Sequence, residues 1–201
     1  MGSQPGERMS VNELSKENIK DIYPLSPMQE GMFFHWLYDN TSRAYFEQIS
    51  YRLEADLDAA LVKRSLQELF KQYDILRTVF SRKKITRILQ VVLKERSVDF
   101  YREDLSQRQD KEEYIKRYKE EDKKKGFDLT KDVLMRVALF QLDETEHEFI
   151  WSFHHILMDG WCLGLLISRF REIYNGLVTG KSPQFVPVKP YREYIQWLEN
   201  Q

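Results

Sequence analysis

Two apolar runs, "LMRVALFQL" and "EFIWSFHH", stand on either side of the turn-like "DETEH". They constrain the fold more than anything else in the chain. Each is apolar on both faces, so the pair predicts neighbouring, mostly buried strands. With 201 residues, 42% hydrophobic and 31% charged, there is material for one sizeable core. The net charge of -1, with no sustained basic stripe, argues against nucleic acid as the main partner. No run approaches the ~18 apolar residues of a membrane span. The single cysteine, Cys162, rules out an internal disulfide and fits a reducing compartment, the cytoplasm by default. The leader "MGSQPGERMS" lacks the apolar centre of a signal peptide and reads as a disordered end or a cloning remnant.

Helices and strands alternate irregularly around the central pair. "YPLSPMQEGMFFHWLYD" reads as a helix with Ser26 as N-cap, Pro27 in the first turn and Gln29 completing a capping box. "ISYRLEA" alternates as a half-buried strand, and Asp58 caps a helix carrying Val62, Leu66, Leu69, Phe70 and Tyr73 on one face. "LRTVF" (76–80) and "ILQVVL" (88–93) predict a hairpin around the basic turn "SRKKITR". Residues 106–125, dense in Lys and Glu, predict a largely exposed helix ending near Gly126. A further helix runs from about Asp159 to Val178, with Leu163, Ile167, Phe170, Tyr174 and Leu177 on one face. "FVPVKP" is an extended connector, and Pro190 opens a short final helix, "PYREYIQWLEN". The whole predicts an α/β fold of the α+β kind: a two-layer sandwich, its mixed sheet covered by helices.

Two of the four histidines stand side by side in "SFHHILMDGW". Successive strand residues face opposite sides, so His154 and His155 enter one pocket only if the strand has ended. One is expected to be structural and the other to sit at the strand end, where α/β proteins present reactive groups. Parity does not say which. Asp159 stands where a helix begins and could cap it or pair with a buried cation. Gly160 would let a backbone N–H approach a bound carbonyl, and the helix start favours negative charge on its oxygen. Neutral imidazole, with an ordinary pKa of about 6.5, accepts a proton from an amine or hydroxyl near neutral pH. This is a kit for acyl transfer. A buried histidine is more often a packed side chain. A zinc site is poorly supported, because His35 and His147 add no convincing third ligand to His155 and Asp159. Cys162 is a second chemical candidate, but "WCLGLL" favours packing.

"HHILMDG" also matches the HHxxxDG signature of the condensation domains of nonribosomal peptide synthetases, within the chloramphenicol-acetyltransferase-like superfamily. "YPLSPMQEGMFFH", "DILRTVF" and "KPYREYIQWLE" resemble three further elements of that family, in its order. The resemblance covers residues 21–200. It implies a chloramphenicol-acetyltransferase-like lobe over residues 21–201, preceded by a leader and linker over 1–20. By length it is the N-terminal lobe, with the C-terminal lobe of the same domain missing. It implies peptide-bond formation between thioesters on the 4'-phosphopantetheine arms of donor and acceptor peptidyl carrier proteins, beside an adenylation domain, with no cofactor bound by the chain itself. His155 becomes the catalytic histidine and His154 a structural one. Asp159 is expected to pair with Arg77, and Gly160 to meet the oxyanion or substrate backbone. Two alternatives are an epimerisation lobe, which shares HHxxxDG, and a carrier-protein docking scaffold without catalysis. The isolated lobe is expected to be inactive, because the wall that would align two thioesters is absent.

Overall fold

The computed structural model describes residues 15–81, 87–184 and 187–201. Residues 1–14, most of the basic turn, and Phe185 and Val186 of the connector lie outside the described residues. The chain runs β1 (Ile19–Pro24), α1 (Pro27–Tyr38), β2 (Phe46–Glu54), α2 (Ala59–Gln72), β3 (Thr78–Ser81), β4 (Leu89–Leu93), β5 (Asp99–Asp104), α3 (Lys111–Lys125), β6 (Met135–Gln141), β7 (Glu146–His154), α4 (Gly160–Val178) and α5 (Tyr191–Glu199).

The two apolar runs become β6 and β7, the inner strands of a four-stranded sheet ordered β2-β7-β6-β5. β2 and β6 both run antiparallel to β7, while β5 joins β6 in parallel, so the sheet is mixed as expected. The reason β6 and β7 are largely apolar is that both faces are covered. Val137, Leu139, Phe149, Trp151 and Phe153 join the main core with α2 and α4, while Ala138, Phe140 and Ile150 pack with Ile115, Tyr114 and Tyr118 of α3. The thin stripe on α3 is therefore enough to add a layer on the second face. β1, β4 and β3 form a separate antiparallel sheet of three strands.

The hairpin partners pair as expected, but Asp74–Arg77 forms a 3-10 turn and the strand begins at Thr78. β1 begins with Ile19 and Lys20, the last two residues of the expected leader and linker, and Lys20 is bonded to Asp74 at 2.8 Å. β1 and β5 were not legible as strands. Both are edges carrying charge, and β1 ends on Pro24, the composition that protects a sheet edge rather than the alternation that announces a strand.

Candidate active site

β7 ends at His154, and the parity question resolves there. His154 points to the α3 side of the sheet and is buried against Tyr45 and Phe127, with ring centroids at 5.9 and 6.5 Å. Its Nδ1 accepts the Ile156 N–H at 3.1 Å, which fixes the proton on Nε2. Burial, with His155 beside it, lowers its pKa to about 4, so it stays neutral.

His155 is the first residue of the turn that follows. Its backbone N–H donates to the Tyr45 carbonyl at 2.9 Å, and its ring Nδ1 lies 2.7 Å from the Met158 carbonyl. A carbonyl only accepts, so Nδ1 carries the ring proton and Nε2 presents the lone pair. The half-buried residue is held at two points by backbone oxygens. Neither Tyr45 nor Met158 was recognisable beforehand, because backbone carbonyls leave no mark on residue type.

Asp159 caps α4, its Oδ1 accepting the Cys162 N–H at 2.9 Å, and that bond holds its carboxyl below the usual carboxylate range. The expected pair between Asp159 and Arg77 is not formed. Arg77 is buried and donates to the carbonyls of Leu93 (Nε, 2.9 Å) and Phe70 (Nη1), and to Asp74 (Nη2, 2.5 Å), while Asp159 is exposed. The carboxylate three residues upstream satisfies the cation locally, and the carbonyl bonds of Arg77 reach β4 and α2 rather than the histidine loop. Gly160 begins α4, and a Cβ there would meet nothing within 4 Å. The helix start therefore faces open space. Cys162 is exposed rather than packed away, and partial burial with the nearby Asp159 pushes its thiol up, against a role as nucleophile.

The site has a second support that was read only as a helix cap. Ser26 and Gln29 form the capping box as expected. The same buried Gln29 also donates to the Ile156 carbonyl at 3.2 Å, and its Oε1 accepts from Gln90 Nε2 at 2.9 Å. Gln90 in turn reaches the Pro24 carbonyl at 3.0 Å. The start of α1, strand β4 and the histidine loop are thus tied by two amides. Among the described residues, no group of three or more His, Cys, Asp or Glu side chains could hold a metal ion, and no helix is long and apolar enough to cross a membrane.

The fold is thus a mixed sheet with helices on both faces, whose inner strand β7 delivers adjacent histidines to a loop that runs into the start of α4. The chain belongs to the condensation-domain family of the nonribosomal peptide synthetases: the family model described as "Condensation domain" matches residues 19–201. A plipastatin synthase of Bacillus subtilis (strain 168) is 50% identical over 185 residues, covering 91% of this chain and 7% of that protein. Gramicidin S synthase 2 of Brevibacillus brevis is 45% identical over 193 residues, covering 95% and 4%. The starter condensation domain of rhizomide synthetase RzmA superposes with a TM-score of 0.82 at 19% identity, over 90% of this chain and 45% of that one. The first condensation domain of the calcium-dependent antibiotic synthetase, in complex with a substrate analogue, gives 0.81 at 20%, over 90% and 44%. The chain therefore spans under half of those solved domains and under a tenth of the two synthetases.

Proposed function

We propose that the chain is the histidine-bearing N-terminal lobe of a peptide-bond-forming condensation domain. The α-amine of an acceptor aminoacyl thioester attacks the donor thioester carbonyl; the C–N bond forms, the C–S bond breaks, and the amine proton passes to the departing thiolate. His155 orients the amine and can hold its proton on Nε2 in transit. The open start of α4 at Gly160 offers backbone donors to the tetrahedral oxyanion. Both substrates arrive on the 4'-phosphopantetheine arms of donor and acceptor carrier proteins, in the cytoplasm, beside an adenylation domain, and a second lobe closes the site. The observation that carries this reading is the His155 ring, its Nδ1 2.7 Å from the Met158 carbonyl, which reserves Nε2 for chemistry.

The test is dipeptidyl-thioester formation followed by mass spectrometry, with loaded carriers, for this chain alone and mixed with the remaining half of a condensation domain. Product only in the mixture, lost in His155→Ala at unchanged melting temperature, is the expected result. Product that survives His155→Ala would remove the histidine from the chemistry.

A further inference from the structure

We infer that Arg43 is a positioning residue for His155, acting through the Tyr45 carbonyl; its catalytic relevance rests on the reading of His155 above. Tyr45 lies at the end of an irregular segment between α1 and β2, yet it supplies the oxygen that fixes the His155 backbone. Something must hold that segment, because a loop carbonyl without support is a poor anchor. Arg43 does so by binding backbone on two sides. On its own segment, Nη1 donates to the carbonyls of Asn40 (3.2 Å), Thr41 (2.7 Å) and Ser42 (3.0 Å). Across the fold, Nε donates to the Lys123 carbonyl at 2.8 Å and the Lys124 carbonyl at 3.2 Å, and Nη2 to Lys124 again at 2.5 Å. The last carbonyls of α3 have no partner within the helix and carry its negative end, so they suit a planar, five-donor cation. The Arg43 carbonyl then accepts the N–H of Phe46, the first residue of β2.

The far side of this clamp is rigid. Arg136, buried with Asp122 at 2.7 Å, donates to the Gly126 carbonyl at 2.8 Å and stacks over Phe127 with 4.0 Å to the ring centroid. Trp36 Nε1 donates to the Phe127 carbonyl at 3.1 Å, and Phe127 stacks on Phe46. Gly126 adopts φ 60, and a Cβ there would lie 2.8 Å from the guanidinium carbon of Arg43. The glycine thus serves the backbone turn and makes room for the arginine. Both histidines sit against this corner: His154 through the Phe127 ring, His155 through the strap that Arg43 ties down.

The test needs no turnover, so it stands apart from the fate of the proposed chemistry. In the 15N-labelled chain, native-state amide exchange and imidazole nitrogen shifts are measured for the wild type, Arg43→Ala, Arg43→Lys and Gly126→Ala. Arg43→Ala is expected to speed exchange at the His155 N–H by about tenfold and to move its ring nitrogen signals, with Ile150 and Trp151 of β7 within about twofold. Arg43→Lys, a point charge without the fork, restores little of this. Gly126→Ala keeps Arg43 but displaces its guanidinium, and is expected to reproduce the His155 change. Should Arg43→Ala fail to fold, the other two variants carry the comparison in the same terms. Wild-type His155 exchange and ring shifts in the variants would overturn the assignment. So would a uniform rise through α3, β2 and β7, which would make Arg43 an ordinary helix cap.

Discussion

At the residue scale, Asp159 and Arg77 do not carry the shared weight of the pair expected of them. A buried Arg–Asp pair broken on one side costs about 3–5 kcal/mol, but Asp159 is an exposed cap, and removing a cap costs about 1 kcal/mol. Asp159→Ala is therefore expected to lower stability by only about 1 kcal/mol in urea unfolding, whatever it does to turnover. Arg77→Ala belongs to the larger class, about 3 kcal/mol or more, because it leaves the buried Phe70 and Leu93 carbonyls unpaired. Equal losses in the two variants would contradict the separation seen here. His154 adds a pH dependence. Its pKa falls from 6.5 in the open chain to about 4 in the fold, so between those values the unfolded chain binds a proton that the folded one refuses. Its stabilising contribution is whole above about pH 6.5, declines as pH drops, and levels off below about 4, a loss of about 2 kcal/mol between pH 7 and 5. Carboxylates titrate in the same range. The measurement is therefore the difference in unfolding free energy between wild type and His154→Asn at the two pH values, and a pH-independent difference would refute the burial argument.

At the element scale, the signals that proved legible were those written in side chains. Ser26 with Gln29, Asp58 and Asp159 marked three helix starts, and each cap bond is present. Val62, Leu66, Leu69 and Phe70 kept the helical period of α2 and are all buried. The apolar density of β6 and β7 marked the centre of the sheet. What could not be read was work done by backbone or by charge. The edge strands β1 and β5 look like loops because each pairs on one side only and carries charge where the inner strands are largely apolar. The site was half legible: adjacent histidines announced it, while the Tyr45 and Met158 oxygens that orient His155 did not. Gln29 lies between these cases, recognisable as a cap but not as a bridge to the Ile156 carbonyl. Gln29→Ala should accordingly cost more than a cap, about 2–3 kcal/mol, since the Gln90 amide and the Ile156 oxygen both lose a buried partner. Ser26→Ala should cost about 1 kcal/mol. Chemical denaturation of the two variants checks the order, and a Gln29→Ala loss no larger than that of Ser26→Ala would reduce the bridge to a cap.

At the scale of the molecule, the core is not one body. The main cluster joins α2, α4 and one face of the four-stranded sheet, and α3 closes the other face. The smallest cluster, Tyr23, Val92 and Ile195 with Tyr191 and Leu198, holds α5 against β1 and β4. Few buried apolar contacts mean a low local opening free energy, and a terminal helix ordered by three buried side chains falls at that end of the range. Ile195 is 2% exposed, so Ile195→Ala removes the helix's main anchor and leaves a cavity worth about 2–4 kcal/mol if the site does not collapse. That cost is expected to act locally. Amide exchange in α5 and β1 should quicken by at least about tenfold at low denaturant, while Ile150 and Trp151, fenced by α2, α4 and α3, keep exchanging only through global unfolding. The histidine loop would then retain its protection, because its supports at Tyr45 and Gln29 lie outside the opening unit. If Ile195→Ala instead loosened β7 and His155 to the same degree as α5, the two sheets would open as one cooperative body. The site would then depend on the C-terminal helix as directly as on the strand that carries it.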